Sequence, residues 1–185
     1  MKWIVPAAAL VLAASCWAER SAAAGNAWTE CENFENRDAR IHGCTAVIDN
    51  AAETAEGRAD AYYFRANAYA AKGDFDKALV DYDKAIGLAP NYSSYYASRC
   101  WAYAQKGNTA QALQDCDKAV SLNPGNALAL SNRGSVHEKN GDLPKAIADY
   151  KAALAITAKE DDDYTGQEDA KEALARLQGV TKTGG

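Results

Sequence analysis

Residues 59–92 read ADAYYFRANAYAAKGDFDKALVDYDKAIGLAPNY, and the same pattern returns from residue 93 and again from residue 127. The recurrence is marked by Gly73, Gly107 and Gly141, which are spaced 34 residues apart. In each copy a stripe of apolar or small residues at helical spacing precedes the glycine, and a second stripe follows it. A fixed period of this length is the signature of a solenoid built from stacked helix pairs.

The two stripes of the first copy consist of Tyr62, Ala66 and Tyr69 before the glycine, and of Ala78, Tyr82 and Ala85 after it. This arrangement closely resembles the tetratricopeptide repeat (TPR), and the likeness extends without a gap over residues 59–158. It implies an all-α fold, a right-handed α-α superhelix in which the first helix of each repeat (helix A) lines a concave groove. The second helix (helix B) packs behind helix A.

The resemblance also divides the chain. We expect a signal peptide over 1–24, a degenerate TPR-like helix pair over 25–58, regular repeats over 59–92, 93–126 and 127–160, a capping helix over 161–178 and a disordered tail over 179–185. In the degenerate pair, Cys31 and Cys44 align with Tyr69 and Tyr82, and about four extra residues follow in the Glu53–Arg58 loop.

Residues at the predicted helix ends agree with this reading. Each repeat glycine lies just past helix A, where a left-handed residue closes a helix. Asp74, Asn108 and Asp142 follow these glycines and can cap helix B. Pro144 lies in a first helical turn, where its missing N–H costs nothing, and Pro90 and Pro124 end helix B in the first two repeats.

The N-terminus has the features of an export signal. One Lys precedes an apolar run that ends at Ser15 and is too short to span a membrane. Cleavage could follow Ala18 or Ala24, and lipidation of Cys16 and an uncleaved anchor are the alternatives. We therefore expect a periplasmic or secreted protein.

Five cysteines are present, of which Cys16 lies in the leader. The remaining four, an even number in an exported chain, suggest disulfides with three possible connectivities. The TPR alignment favours Cys31–Cys44, across the degenerate pair, and Cys100–Cys116, between helices A and B of the second repeat. The alternative is a thiol-redox or metal-binding envelope protein, with a site that would combine both cysteines of the first pair with His42.

The composition limits the function classes. The formal net charge is −5 and no Lys/Arg cluster occurs, which argues against binding of nucleic acid or of anionic membrane surfaces. No catalytic motif or phosphate-binding loop is found, and His137 falls at a packed position of helix A. We expect no enzymatic activity, no cofactor and no metal.

The repeated charges predict structural ion pairs within the repeats. Arg65, Arg99 and Arg133 recur on helix A in the same phase as Asp81, Asp115 and Asp149 on helix B. Solvated charges without contact are the alternative, since exposed pairs gain little.

The TPR resemblance places a partner-binding surface on the A helices. The candidate groove residues are Tyr63, Asn67, Ser98, Trp101, Ser131 and Ser135. Some TPR modules clamp a terminal carboxylate there with Asn and basic residues. Asn67 matches that pattern, but Tyr63 and Leu128 stand where Lys would be needed and Asn132 replaces a basic residue. We therefore expect a monomer with an aromatic, nearly neutral groove for a peptide or protein, unless Trp101 only packs between repeats.

Overall fold

A computed structural model of the chain describes residues 25–156 and 165–183. These residues are helical, without strands, and the helices are α1 (25–31), α2 (Arg37–Asp49), α3 (Ala55–Ala71), α4 (Phe75–Leu88), α5 (Ser93–Gln105), α6 (Thr109–Leu122), α7 (Ala127–Lys139), α8 (Leu143–Ala155) and α9 (Thr165–Thr183). Neighbouring helices pack as hairpins, and the hairpins stack into the predicted right-handed α-α superhelix. Helices α3, α5 and α7 are the A helices of the three repeats, and α4, α6 and α8 are the B helices.

The repeat glycines close the A helices as predicted. Gly73, Gly107 and Gly141 have φ values of 80°, 78° and 80°, the left-handed conformation that glycine adopts without strain. After the first of them, the Asp74 N–H donates to the Tyr69 carbonyl at 2.9 Å, which satisfies a carbonyl that the helix end leaves open. Each A helix therefore reverses into its B helix through the same short turn.

The starts and ends of the B helices follow the sequence signals with one exception. Asp74 and Asp142 accept hydrogen bonds from the backbone N–H three residues later, as N-caps do. Asn108 occupies the predicted N-cap position of α6, but its side chain makes no such bond. Pro144 lies in the first turn of α8, and α4 and α6 end two residues before their prolines.

The three repeated Arg–Asp pairs are formed. In each repeat the guanidinium donates two hydrogen bonds to the carboxylate, between Arg65 and Asp81, Arg99 and Asp115, and Arg133 and Asp149, over 2.7–2.9 Å. Each of these aspartates is buried. The pairs therefore fix helix A against helix B inside each repeat.

The same arginines also join each repeat to the preceding one. Arg99 reaches Asp83 of α4 at 2.6 Å, and Arg133 reaches Asp117 of α6 at 2.9 Å. Arg65 makes the equivalent contact with the hydroxyl of Thr45 in α2, at 2.9 Å. Because Thr45 takes the place of the aspartates, α2 is the B helix of the degenerate first pair.

Both predicted disulfides are present. Cys31 and Cys44 join α1 to α2 with a Cα–Cα distance of 4.4 Å, and Cys100 and Cys116 join α5 to α6 at 5.4 Å. All four side chains are fully buried. Each disulfide links the two helices of one hairpin in the core.

Three boundaries differ from the sequence expectation or lie outside the described residues. Helix α3 begins at Ala55, capped by Thr54, so the extra residues before the first repeat form another helical turn and not a loop. Helix α9 continues to Thr183, where a disordered tail was expected from Gly179, because one glycine costs a helix only about 1 kcal/mol. The predicted signal peptide, residues 1–24, lies outside the described residues.

Helix α9 packs on α7 and α8 at the C-terminal end of the stack. Its face at Ala170 and Leu174, predicted from the amphipathic pattern, enters a core with Leu130 and Tyr150. At Gly166 the backbones are so close that a Cβ would lie 2.4 Å from the Leu128 nitrogen. Helix α9 therefore covers the apolar end of the third repeat in the way an additional A helix would.

Candidate functional site

The concave groove is the surface lined by α3, α5, α7 and α9. These helices touch one another in succession along the stack, α3 with α5, α5 with α7 and α7 with α9. In the described part of the chain, the B helices α4, α6 and α8 contact only A helices or α9. The stack is therefore tighter on the A side, which makes that side concave and the B side convex.

The N-terminal half of the groove is an aromatic cluster. The Tyr63 ring lies 4.8 Å from Tyr95 and 6.2 Å from Tyr82, measured between ring centroids. Ser98 is buried beneath this cluster, where its hydroxyl donates to the Tyr63 hydroxyl at 3.4 Å. Of the predicted groove residues, Ser98 therefore supports Tyr63 and does not itself offer a surface to a partner.

Asn67 is also engaged within its own repeat. Burial raises the pKa of Tyr82, so its hydroxyl stays protonated and donates to the side-chain oxygen of Asn67 at 2.6 Å. One of the two lone pairs of the Asn67 oxygen is therefore used within the repeat. Its amide nitrogen and the second lone pair of its oxygen remain for a partner.

Trp101 lies at the middle of the groove and serves two roles. Its ring packs edge-on against Phe75, with 5.5 Å between centroids. Its relative exposure is still 36%, the highest of the six predicted groove residues. The two readings of Trp101 are therefore both correct in part: it joins neighbouring repeats and presents aromatic surface to the groove.

A pocket of about 480 Å³ lies beside Trp101, at the end of the groove nearest α9. We call it the C-terminal pocket, and it is lined by Trp101, Ser131, Asn132, Ser135, Tyr150, Asp169, Glu172, Ala173 and Arg176. Three of the predicted groove residues, Trp101, Ser131 and Ser135, thus come together here. Tyr63 and Asn67 lie outside the pocket, in the N-terminal half of the groove.

The charged wall of the C-terminal pocket was not predicted. Asp169, Glu172 and Arg176 lie at helical spacing on the polar side of α9. That spacing was visible in the sequence, but only the packing of α9 on α7 shows that this side faces the groove. The expectation of a nearly neutral groove is therefore wrong at its C-terminal end.

Arg176 and the Tyr150 hydroxyl are paired with one carboxylate beside the pocket. Arg176 contacts Glu138 at 2.8 Å, and the Tyr150 hydroxyl donates to the same carboxylate at 2.9 Å. Burial, together with this hydrogen bond, raises the pKa of Tyr150. The positive charge of Arg176 is therefore balanced within the pocket wall.

The cysteines of the described residues offer no exposed sulfur. Reactive cysteines lie in partly exposed, electropositive surroundings, whereas Cys31, Cys44, Cys100 and Cys116 are fully buried as disulfides. His42 is far more exposed and pairs with Glu30 at 2.7 Å. In residues 25–156 and 165–183 no group of three or more His, Cys, Asp or Glu side chains is placed to hold a metal ion.

Two family models, each described as tetratricopeptide repeat, match residues 59–92 and 100–163. The chain belongs to the tetratricopeptide repeat family. The first match has the same boundaries as the first predicted TPR. A search of curated proteins found no significant match, and within its described residues this TPR protein has no helix long and apolar enough to cross a membrane.

Solved TPR structures resemble the chain over most of its length. The TPR domain of Arabidopsis OM64 is 26% identical with a TM-score of 0.57, over 67% of this chain and 99% of that one. The first TPR of Spaghetti (RPAP3), solved with the HSP90 peptide SRMEEVD, is 27% identical with a TM-score of 0.54, over 65% and 98%. A crystal structure of MamA shares the fold, with 21% identity and a TM-score of 0.55, over 76% and 71%.

Proposed function

We propose that this TPR protein is an exported protein-interaction module that binds a peptide or protein segment along its concave groove. The observation that carries the proposal is the surface formed by the A helices, with the exposed ring of Trp101 beside the C-terminal pocket. Stacked helix repeats use such extended concave surfaces for binding. The relative solved with a bound peptide, Spaghetti, supports the same use of the fold here.

The residues in the groove do not favour a clamp for a terminal carboxylate. Asn132 is buried, and its amide donates to the Ala97 carbonyl at 3.0 Å. The Asn67 side-chain oxygen already accepts a hydrogen bond from Tyr82, and no lysine lines the C-terminal pocket. We expect aromatic contact and side-chain hydrogen bonds to supply most of the affinity.

Export is the other half of the proposal. The N-terminal leader supports it, and so do the two buried disulfides, since disulfides persist in oxidising compartments. Cell fractionation with N-terminal sequencing should give a chain that begins at Glu19 or Gly25. A full-length chain that stays in the cytosol with free thiols would contradict this part.

Site-specific photo-crosslinking tests the groove. p-Benzoylphenylalanine is placed at Ser135, which lines the C-terminal pocket, and as a matched control at Lys118, which is exposed on the convex helix α6. We expect adducts from position 135 and not from position 118 when the protein is irradiated in the cells that produce it. Adducts from position 118 alone would place the partner on the convex side and refute the proposal.

Replacement of Trp101 tests the same surface by affinity. Interface hot spots are enriched in Trp and cost about 2 kcal/mol or more on truncation, so Trp101→Ala should weaken partner binding about thirtyfold. Because the ring also packs on Phe75, the variant should lose about 0.5–1.5 kcal/mol of stability from the aromatic pair. Trp101→Phe keeps part of that contact and serves as the control for folding.

A further inference from the structure

The C-terminal pocket has an acidic balance. Its charged lining residues are Asp169, Glu172 and Arg176, and the guanidinium is already paired with Glu138. Glu172 is exposed and makes no ion pair or hydrogen bond with any described residue. A cation that enters the pocket therefore meets a carboxylate that no described residue pairs with.

The floor of the pocket also lacks hydrogen-bond partners. Ser131 lines the pocket and is 3% exposed as a residue, and its hydroxyl, which is not a buried atom, forms no hydrogen bond with any described residue. Next to it, the side-chain oxygen of Asn132 accepts no hydrogen bond from the described residues, because only the amide nitrogen is used, toward Ala97. Both oxygens can accept a hydrogen bond from a ligand.

One wall of the pocket is aromatic. The face of a Trp ring attracts a cation within about 6 Å through its quadrupole, and guanidinium groups also stack on such rings. Trp101 lines the same pocket as Ser131 and Glu172. A pocket of about 480 Å³ lies within the usual range for ligand pockets, roughly 300–1,000 Å³.

We propose that the C-terminal pocket binds a lysine or arginine side chain of an extended partner segment. This inference rests on the proposed function and names the partner chemistry at that site. The cationic head lies between the Trp101 ring and the Glu172 carboxylate, and its N–H groups donate to the oxygens of Ser131 and Asn132. The net charge of −5 favours approach of a basic segment over an acidic one.

The test uses three fluorescein-labelled pools of nine-residue peptides and fluorescence anisotropy. The pools share random flanks of Ala, Ser, Leu and Gly and differ only in the central residue. The central residue is Lys or Arg in the basic pool, Gln in the second pool and Glu in the third. We expect the basic pool to bind at least about tenfold more tightly than the Gln pool, which corresponds to about 1.4 kcal/mol. The Glu pool should bind most weakly.

Variants assign the preference to the pocket. Glu172→Gln should remove most of the preference for the basic pool, and Glu172→Lys should reverse it toward the Glu pool. The matched control is Glu168→Gln on the same helix, because Glu168 is exposed, pairs with Lys171 and does not line the pocket. Ser131→Ala should weaken binding of the basic pool while the melting temperature changes little, since the hydroxyl has no hydrogen-bond partner among the described residues.

The outcomes separate this inference from the proposed function. Equal binding of the three pools, or a basic preference that survives both Glu172 variants, would overturn the cation pocket. If the crosslinker at Ser135 still captures the partner in that case, the groove proposal stands alone. If crosslinks come only from Lys118, the proposed function fails, and the inference fails with it.

Discussion

The ion pair between Arg99 and Asp115 allows a quantitative test of how the repeats hold together. The guanidinium donates to both carboxylate oxygens at 2.7 Å, and the side chains are 17% and 7% exposed. Arg99→Ala would leave the Asp115 carboxylate buried without its counter-charge, which typically costs about 3–5 kcal/mol. An ordinary surface substitution stays within about 0.5 kcal/mol.

A double-mutant cycle isolates the pair. The free energy of unfolding is measured by urea titration at neutral pH, with the disulfides intact, for the parent, Arg99→Ala, Asp115→Ala and the double variant. We expect a coupling energy of about 2 kcal/mol or more, in the range seen for residues in direct contact. A coupling energy below about 0.5 kcal/mol would refute the claim that this pair fixes helix A to helix B.

The second arm of Arg99 provides the control cycle. Asp83 accepts from the same guanidinium at 2.6 Å, but its side chain is 57% exposed. Exposed ion pairs contribute about 0–1 kcal/mol, so the Arg99–Asp83 coupling should fall below that of Arg99–Asp115. Equal couplings would mean that burial does not set the strength of these contacts.

Three further predictions concern the stability of the scaffold. Replacement of Cys100 and Cys116 by Ser should lower the free energy of unfolding by about 3 kcal/mol, as expected for a disulfide that closes a loop of this length; an unchanged urea midpoint would contradict it. Gly73→Ala should lower the free energy of unfolding by about 1–2 kcal/mol because φ is 80°. Gly87→Ala should raise it by about 0.5–1 kcal/mol, because Gly87 lies inside helix α4 and an added Cβ would meet open space. Equal melting temperatures of the two variants would argue against the left-handed turn. Arg40 is buried, its Nε is unpaired among the described residues, and burial lowers its pKa. Arg40→Met should therefore leave the free energy of unfolding equal or higher. A loss above about 1 kcal/mol would show that the contact of Arg40 with the Phe34 ring outweighs the cost of burying the charge.

The sequence by itself determined the helix pairs, their turns and the contacts inside each repeat. A solenoid repeat touches only its neighbours, so a residue that recurs every 34 positions meets the same surroundings each time. This is why the glycine turns and the Arg–Asp pairs could be predicted from their phase, whereas the disulfide between Cys100 and Cys116 was predicted from the places of these cysteines in the TPR alignment. The degenerate first pair was predicted by alignment with the regular repeats. Its contact between Thr45 and Arg65 explains why the alignment worked, because Thr45 occupies the position of the aspartates that contact Arg99 and Arg133.

The tertiary structure decided the character of the groove. Helix α9 lies outside the 34-residue phase, so the sequence predicted its apolar face but not the direction in which its polar face points. Its packing on α7 brings Glu172 and Arg176 to the serines of the third repeat and turns a nearly neutral surface into an acidic pocket. The hydrogen bond from Tyr82 to Asn67 and the contact of Trp101 with Phe75 were likewise not predicted. The physical reason is the same in each case: a periodic pattern fixes which residues are equivalent, whereas the contacts of side chains that differ between repeats depend on three-dimensional packing.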